Sequence, residues 1–446
     1  MKYLILIMTF LTSTLAFSQE RDVYYLTGFP SDTTANNTTT RWIQTMNNHA
    51  TRSSINPVAF GYTNADGLQV GAVSAASNMT GTNPTSQAIG IGSSFGGTVL
   101  RQIDANGGAP FGGFITVGSP NKGTILAQTV NDDPEKITNT IQSWIEDLIA
   151  GPTKSLQELA SLSIRGEFII DETLSFITEK IPFPGGQSIG EMVNNPTQSI
   201  IDLNPNSNAM TSLNNFNTNL PFVQITIEED EPQSLFRMIG SDKAHEAPLG
   251  QFDDSKVVEI VDIAAGIYEA MKFNYIFQDD IVNLFGFVLF ALNGEDPFSF
   301  PEARADAWAR GQEALESNIE SDWQQLVGGT EIVTTYTTEI GGCELNEEEL
   351  GNCALFTGDY LPGACLACEE GLANTTYTQT FTTYETLPND SYIPVPNQVF
   401  DETGAKIEVL GCNHNEMVNH PGVIQAFEDI YDSEAIGVDN YFMSAN

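Results

Sequence analysis

Ala88-Ile-Gly-Ile-Gly-Ser-Ser-Phe-Gly-Gly-Thr-Val-Leu-Arg101 passes from an apolar run into a helix-like one within a few residues. Ala88 to Ile91 predicts a short buried strand, and Gly97 to Ile103 predicts a helix. Between them lies Gly92-Ser93-Ser94-Phe95-Gly96. A sharp strand–turn–helix junction needs small residues on either side of its central position, because backbone from the neighbouring element passes close by. The junction would lift the Ser94 hydroxyl above the edge of a sheet. In a chain with 38 glycines such a pentapeptide arises easily by chance, so its weight rests on what surrounds it.

The surroundings agree. Asp22 to Leu26 reads as a strand followed by a turn, Thr27-Gly-Phe-Pro30; Trp42 to Ala50 is helix-like; Pro57 to Gly61 and Phe114 to Val117 read as further strands. Strands alternating with helices imply α/β architecture around a largely parallel sheet, which holds ligands at the carboxyl ends of its strands. From Asn131 the pattern becomes helical. Asp133 suits an N-cap, Pro134 a first helical residue, and Ile137, Ile141, Trp144, Ile145 and Leu148 form one stripe that Gly151-Pro152 should end. Phe222 to Ile227 returns as a strand. A second helical block begins near Asp254, with Val257, Val261, Ala264, Tyr268 and Met271 on one face, and Pro301 to Leu326 is a further helix. Ile281 to Leu292 is apolar nearly all round, well short of the ~20 residues of a membrane span, and reads as a buried or lid-like helix. Two Thr/Tyr-rich alternating segments, Glu331 to Ile340 and Thr375 to Glu385, read as arms of a β-hairpin. Lys406 to Leu410 is the last expected strand.

A serine hydroxyl needs a base to take its proton and a carboxylate to orient that base. The chain has only four histidines. His414 follows a predicted strand on a loop without apolar periodicity and is the preferred base. His420 precedes Pro421 at an expected helix start and is the alternative; His49 and His245 suit ordinary structural roles. Asp390 is the preferred acid. Asp230, in Glu228-Glu-Asp-Glu-Pro232 directly after a strand, is the rival, and Asp401 is more remote.

Four segments resemble the α/β-hydrolase superfamily, in particular its secreted bacterial lipases and esterases. Ala88 to Arg101 is similar to the family's nucleophile elbow. Phe114-Ile-Thr-Val-Gly-Ser-Pro-Asn-Lys-Gly123 is similar to its next strand, with Asn121 where a histidine is usual. Asn389-Asp-Ser-Tyr-Ile-Pro-Val-Pro-Asn-Gln398 resembles its acid loop, and Cys412-Asn-His-Asn-Glu-Met-Val-Asn-His420 its histidine loop. The resemblance covers roughly the first 125 residues and the last 60. It implies an α/β-hydrolase fold with large helical cap or lid insertions, a Ser94–Asp390–His414 triad, and an oxyanion hole from the backbone N–H groups of Phe95 and Phe29. Both aromatic side chains would help line an apolar acyl pocket. Thr27 stands where the family usually has histidine.

Composition narrows the partners. Seventeen basic against 58 acidic residues give a net charge of −41, which excludes a nucleic-acid binder that must supply cations to phosphates. It suits a solvated acidic surface. Calcium binding by some carboxylates is a minor expectation, with no Asp-x-Asp-x-Asp-Gly loop to support it; no other cofactor is implied. Lys2, the apolar run Tyr3 to Phe10 and Ala16-Phe-Ser18 before Gln19 read as a secretory signal, placing the protein outside the cytoplasm or in the periplasm, with no stable transmembrane segment in the mature chain. Cys343, Cys353, Cys365 and Cys368 then read as two disulfides stapling the hairpin arm, a four-thiolate zinc site being the competing arrangement. Cys412 is left as an unpaired, buried thiol.

The expected organisation is a signal peptide at 1–18, core at 19–130, a helical insertion at 131–215, a core strand at 216–235, a helical cap or lid at 236–330, the hairpin arm at 331–386, and core again at 387–446. The expected activity is lipase-type cleavage of small-molecule or lipid esters. A non-catalytic surface or binding protein on the same fold is the alternative, and oligomeric state is not legible.

Overall fold

The computed structural model describes residues 21–28, 55–59, 61–63, 65–84, 86–159, 193, 195–231, 233–238, 261–262, 265–266, 268–270, 272, 299–340, 377–417, 420–432 and 441–442. Among these the strands are β1 (Arg21–Leu26), β2 (Ile55–Ala59), β3 (Ile89–Ser93), β4 (Gly113–Val117), β5 (Phe222–Glu228), β6 (Thr330–Ile340), β7 (Tyr377–Thr386) and β8 (Ala405–Leu410). Six of them form one sheet in the order β2-β1-β3-β4-β5-β8, and every pairing is parallel. The α/β expectation holds in that form.

Side chains alternate across a strand, and the sheet buries an apolar cluster on each of its faces. Val23, Tyr25, Ile89, Ile91, Ile115, Val117, Val223, Ile225 and Ile227 form one cluster with Val423, Phe427 and Ile430 of α10 (Pro421–Asp432). Tyr24, Leu26 and Phe114 belong to the other, with α1 (Leu68–Gly81) and α2 (Phe95–Ala105). On that face β3 carries Gly90 and Gly92 instead of larger residues. A Cβ at Gly90 would press on Leu100 of α2, so the missing side chains let the helix lie close to the sheet.

Helix α1 is not foreseen by any pattern in the sequence. Its buried stripe is Leu68, Gly71, Ala72, Ala75 and Met79, too poor in large apolar residues to stand out as a periodic pattern. Its N-terminus gives no local signal either. Leu68 N–H donates to Asp202 Oδ2 (2.7 Å) and Gly67 N–H to Ser199 Oγ (3.1 Å), both from a helix more than 130 residues further on.

The described parts of the segments between the core strands are largely helical. After β4 come α3 (Ile125–Asp132), α4 (Pro134–Leu159), α5 (Gln198–Asp202) and α6 (Asn208–Asn214). Asp133 caps α4 as expected, its Oδ1 accepting from Lys136 N–H at 3.3 Å, and Ile137, Trp144 and Leu148 are buried. The expected stop at Gly151-Pro152 is incorrect, since α4 continues to Leu159. Proline has no N–H to offer the carbonyl four residues earlier, which here is that of Leu148. Tyr268 supplies the missing donor, its hydroxyl meeting the Leu148 carbonyl at 2.5 Å.

The helix expected over 301–326 runs as α7 (Ser299–Glu313), a π-turn over Ala314–Asn318, and α8 (Ile319–Val327), and the short α9 (Val395–Gln398) lies before β8. Residues 261–262, 265–266, 268–270 and 272 are helical, with Val261 and Tyr268 buried. The helices expected at 42–50 and 281–292 lie outside the described residues. Among the described residues no helix is long and apolar enough to cross a membrane.

Thr330–Leu387 forms a separate compact unit. Within it β6 and β7 pair antiparallel from Thr330↔Thr386 to Ile340↔Tyr377, with a register shift between Ile332 and Thr334, as the two alternating segments predict. Cys343, Cys353, Cys365 and Cys368, with the disulfides expected of them, lie outside the described residues.

The tyrosine that compensates Pro152 gives a stability test. Tyr268→Phe leaves a buried carbonyl without its donor and is expected to lower stability by about 1–2 kcal/mol in denaturant melts. Pro152→Ala restores an N–H for that carbonyl, so the same tyrosine change is expected to lose most of its effect in the Pro152→Ala background. Equal losses in both backgrounds would refute the compensation.

Candidate active site

The ladder between β3 and β4 extends one residue past β3, with Ser94 N–H donating to the Val117 carbonyl at 2.9 Å. There the chain turns. Ser94 takes φ 50 and ψ −132, a region that non-glycine residues rarely occupy, and Phe95 begins α2. The flanking glycines are sterically required. A Cβ on Gly92 would collide with the backbone of Gly96 and Gly97, and one on Gly96 would collide with the Leu26 carbonyl of β1. The Gly-x-Ser-x-Gly spacing thus follows from three backbones meeting at one point.

Asp390 precedes β8 in sequence by 15 residues, yet its loop docks at the end of β5. Glu229 N–H donates to the Asn389 carbonyl (2.8 Å), and Cys412 N–H, just after β8, donates to the Glu228 carbonyl (2.9 Å). The acid and histidine loops therefore share the carboxyl end of one strand. Main chain joins them directly through His414 N–H to the Asp390 carbonyl at 2.8 Å.

Side chains complete the connection. His414 Nδ1 lies 2.7 Å from Asp390 Oδ2, and His414 Nε2 lies 2.9 Å from Ser94 Oγ. All three residues are buried, Asp390 completely. Asp390 Oδ1 accepts the N–H groups of Tyr392 (3.0 Å) and Ile393 (2.6 Å), so both carboxylate oxygens are engaged and the group cannot rotate freely. The Tyr392 ring packs 5.2 Å from the imidazole, and burial together with the Asp390 charge pushes its phenol far above the usual range.

The alternative residues lie elsewhere. Asp230 is exposed at the end of β5 beside Glu228, whose carboxyl is raised by burial and by the neighbouring Glu408 and Asp230. The place that Asp230 would fill as triad acid is taken by the docked 389–394 loop. Asp401 closes a turn onto Thr403 N–H and Oγ1 (2.8 and 2.7 Å). His420 Nδ1 accepts from Gly422 N–H at 3.2 Å at the start of α10, the helix-capping role that its place before Pro421 suggests. His49, His245 and Phe29 lie outside the described residues.

Gly28, the residue before Phe29, packs directly on Ser94; a Cβ there would sit 2.8 Å from Ser94 Oγ and 3.4 Å from Phe95 N. The Tyr62 hydroxyl holds the same loop through the Thr27 carbonyl at 2.5 Å. The expectation that the Phe95 ring lines a pocket is incorrect. The ring is fully enclosed in the core cluster with Tyr24 and Leu26.

Sequence reasoning missed the buried polar framework around this constellation. Asn121 Nδ2 donates to the Gln398 carbonyl at 2.7 Å, and Arg101 of α2 donates to the carbonyls of Asn121 and Leu213 while stacking 4.1 Å over Phe400. Desolvation lowers the Arg101 pKa to about 9. Gln398 Oε1 accepts from Ile227 N–H (2.9 Å), and its Nε2 donates to the carbonyls of Ile227 and Ile393 (both 3.0 Å). Asn121 was legible only as a departure from the family pattern.

Cys412 is a free, buried thiol, as expected, and burial with the nearby Glu416, Asp390 and Glu229 charges pushes it well above its ordinary value. It brings a potential ligand atom within 4.8 Å of others on Glu416 and His420, a grouping not recognised in the sequence. The His420 ring is already bonded to the Gly422 and Gly411 backbone.

No known family matches the chain, and no curated protein does. Among solved structures, the chain is similar to an N-acyl homoserine lactone degrading enzyme at 14% identity and a TM-score of 0.27, over 48% of this chain and 75% of that one. It is also similar to juvenile hormone epoxide hydrolase from the silkworm Bombyx mori at 11% identity and a TM-score of 0.26, over 50% of this chain and 60% of that one.

The histidine cap generates a pH prediction. Desolvation lowers the His420 pKa below its ordinary 6.5, so the unfolded chain binds the proton more readily than the folded one. Its contribution to stability is therefore full above pH 6.5 and declines as pH falls from there towards the lower folded value. His420→Asn, which retains a capping acceptor, is expected to reduce the fall in Tm between neutral and mildly acidic pH. A profile identical to that of the wild type would contradict this.

Proposed function

We propose that the protein is a secreted serine ester hydrolase of lipase type on an α/β-hydrolase fold, cleaving carboxylic, lipid-like esters through an acyl-enzyme on Ser94. His414 is the base and Asp390 the orienting acid. The observation that carries this reading is the unbroken series Ser94 Oγ to His414 Nε2 (2.9 Å) and His414 Nδ1 to Asp390 Oδ2 (2.7 Å), with Ser94 in strained backbone at the sheet's carboxyl edge.

Each group has a defined task. The Ser94 oxygen attacks the ester carbonyl as its proton passes to His414 Nε2, and the imidazolium that forms is stabilised by the Asp390 carboxylate across Nδ1–H. The carbonyl oxygen becomes an alkoxide, which the Phe95 N–H at the start of α2 and a donor from the loop after Gly28 would stabilise. Collapse expels the alcohol, which takes the proton from Nε2, and water then releases the acid by the same sequence. The helical insertions favour a bulky acyl substrate under a cap. The N-terminal apolar segment favours export.

Hydrolysis of short and medium p-nitrophenyl esters tests the assignment. Ser94→Ala is expected to lower kcat by about four orders of magnitude or more, and Asp390→Asn by about 10⁴. A fluorophosphonate should label Ser94 in the wild type. Equal hydrolysis by wild type and Ser94→Ala would reject the proposal.

A further inference from the structure

Asp390 is gripped on both sides by α8, a helix outside the main sheet and outside the catalytic loops. Asn389 Nδ2 donates to Gln324 Oε1 at 2.8 Å, and the Ser391 carbonyl accepts from Trp323 Nε1 at 2.7 Å. All four partners are buried. Gln324 is itself fixed, its Nε2 donating to Ser234 Oγ and to Glu320 Oε1, both at 2.8 Å. Glu320 also accepts Ser234 Oγ–H (2.6 Å) and Leu235 N–H (3.1 Å), so the network joins α8 to the segment after β5 as well.

Between the two grips the backbone is strained. Ser391 has φ 72, a conformation that a non-glycine residue keeps only where its surroundings enforce it. Asn389 Oδ1 accepts Ser391 N–H at 2.8 Å, and Trp323 holds the carbonyl of the same residue. Releasing α8 would free Ser391 to relax and turn the adjoining Asp390 carboxylate away from His414. The π-turn before α8 adds to the arrangement. One extra residue in a helical turn rotates the remainder of the helix by about 100°. Trp308 of α7 can then pack against Tyr268, with ring centroids 4.9 Å apart, while Trp323 and Gln324 reach the acid loop.

We infer that Trp323 and Gln324 are positioning residues for the Asp390–His414 pair, so that the α7–α8 helix sets the orientation of the triad acid. The inference rests on the proposed function for its kinetic consequence. A carboxylate that drifts by a fraction of an ångström orients the imidazole less well and stabilises the imidazolium less.

Trp323→Phe removes one N–H and keeps an aromatic ring; Gln324→Met removes the amide at similar volume. Each is expected to lower kcat for a p-nitrophenyl ester by about tenfold, the worth of one buried hydrogen bond, with KM little changed. In the Asp390→Asn background either change should have little further effect on fluorophosphonate labelling. The low-field proton resonance of the His414–Asp390 hydrogen bond should broaden or disappear in both variants, a readout independent of turnover. If Trp323→Phe fails to fold, Gln324→Met decides. Unchanged kcat and an unchanged low-field proton in a folded variant would overturn the inference, as would equal losses with and without Asp390. Absence of Ser94 labelling and of hydrolysis in the wild type would instead sink the enzymatic reading, leaving the proton resonance to judge the brace.

Discussion

The convergence of three backbones at the end of β3 governs the architecture of the site. The strand must end, α2 must begin almost on top of it, and β1 must pass beside both, leaving no volume for a side chain at Gly92 or Gly96. Close approach of this kind fixes the helix against the sheet and holds Ser94 in backbone geometry that it would not adopt alone. The positions of the other functional groups are measured from that fixed hydroxyl.

Around it the structure uses buried polar groups as ties between loops. Gln398 acts almost as an additional strand residue, exchanging both amide functions with the backbone of Ile227 and also reaching Ile393. Arg101 links the elbow helix to the loop after β4 and to Phe400 near the acid loop. Buried polar atoms are stabilising only when paired, so each tie is specific to one arrangement of its loops. The histidine and carboxylate are thus set by main-chain partners over a wide stretch of sequence.

The core strands, the elbow and the Thr/Tyr-rich pair were legible because their signals are local. Apolar runs bounded by turns, a Gly-x-Ser-x-Gly between strand and helix, and strict alternation can each be read within a dozen residues. Asp390 and His414 were legible by resemblance and chain order. What could not be read depends on distant partners. Helix α1 is capped by Ser199 and Asp202, α4 passes Pro152 because Tyr268 waits opposite Leu148, and Asp230 is displaced by a loop that begins some 160 residues later. The Phe95 ring departs from expectation for a different reason. Being next in sequence to Ser94 does not mean sharing its surroundings, since the hydroxyl meets His414 while the ring is enclosed among core residues.

The pairing of β5 with β8 aligns Ile227 with Val409, and the serine and histidine stand 320 positions apart. The two strands lie about 180 residues apart in sequence, so their pairing carries the entropy cost of closing a long loop. In a growing chain β3 is complete long before β8 exists to be added beside β5, so until then the Ser94 hydroxyl stands without the imidazole of His414. The contacts of Ser94 and Asp390 with His414 therefore come into being only once the β8 segment and the loop after it have joined the sheet.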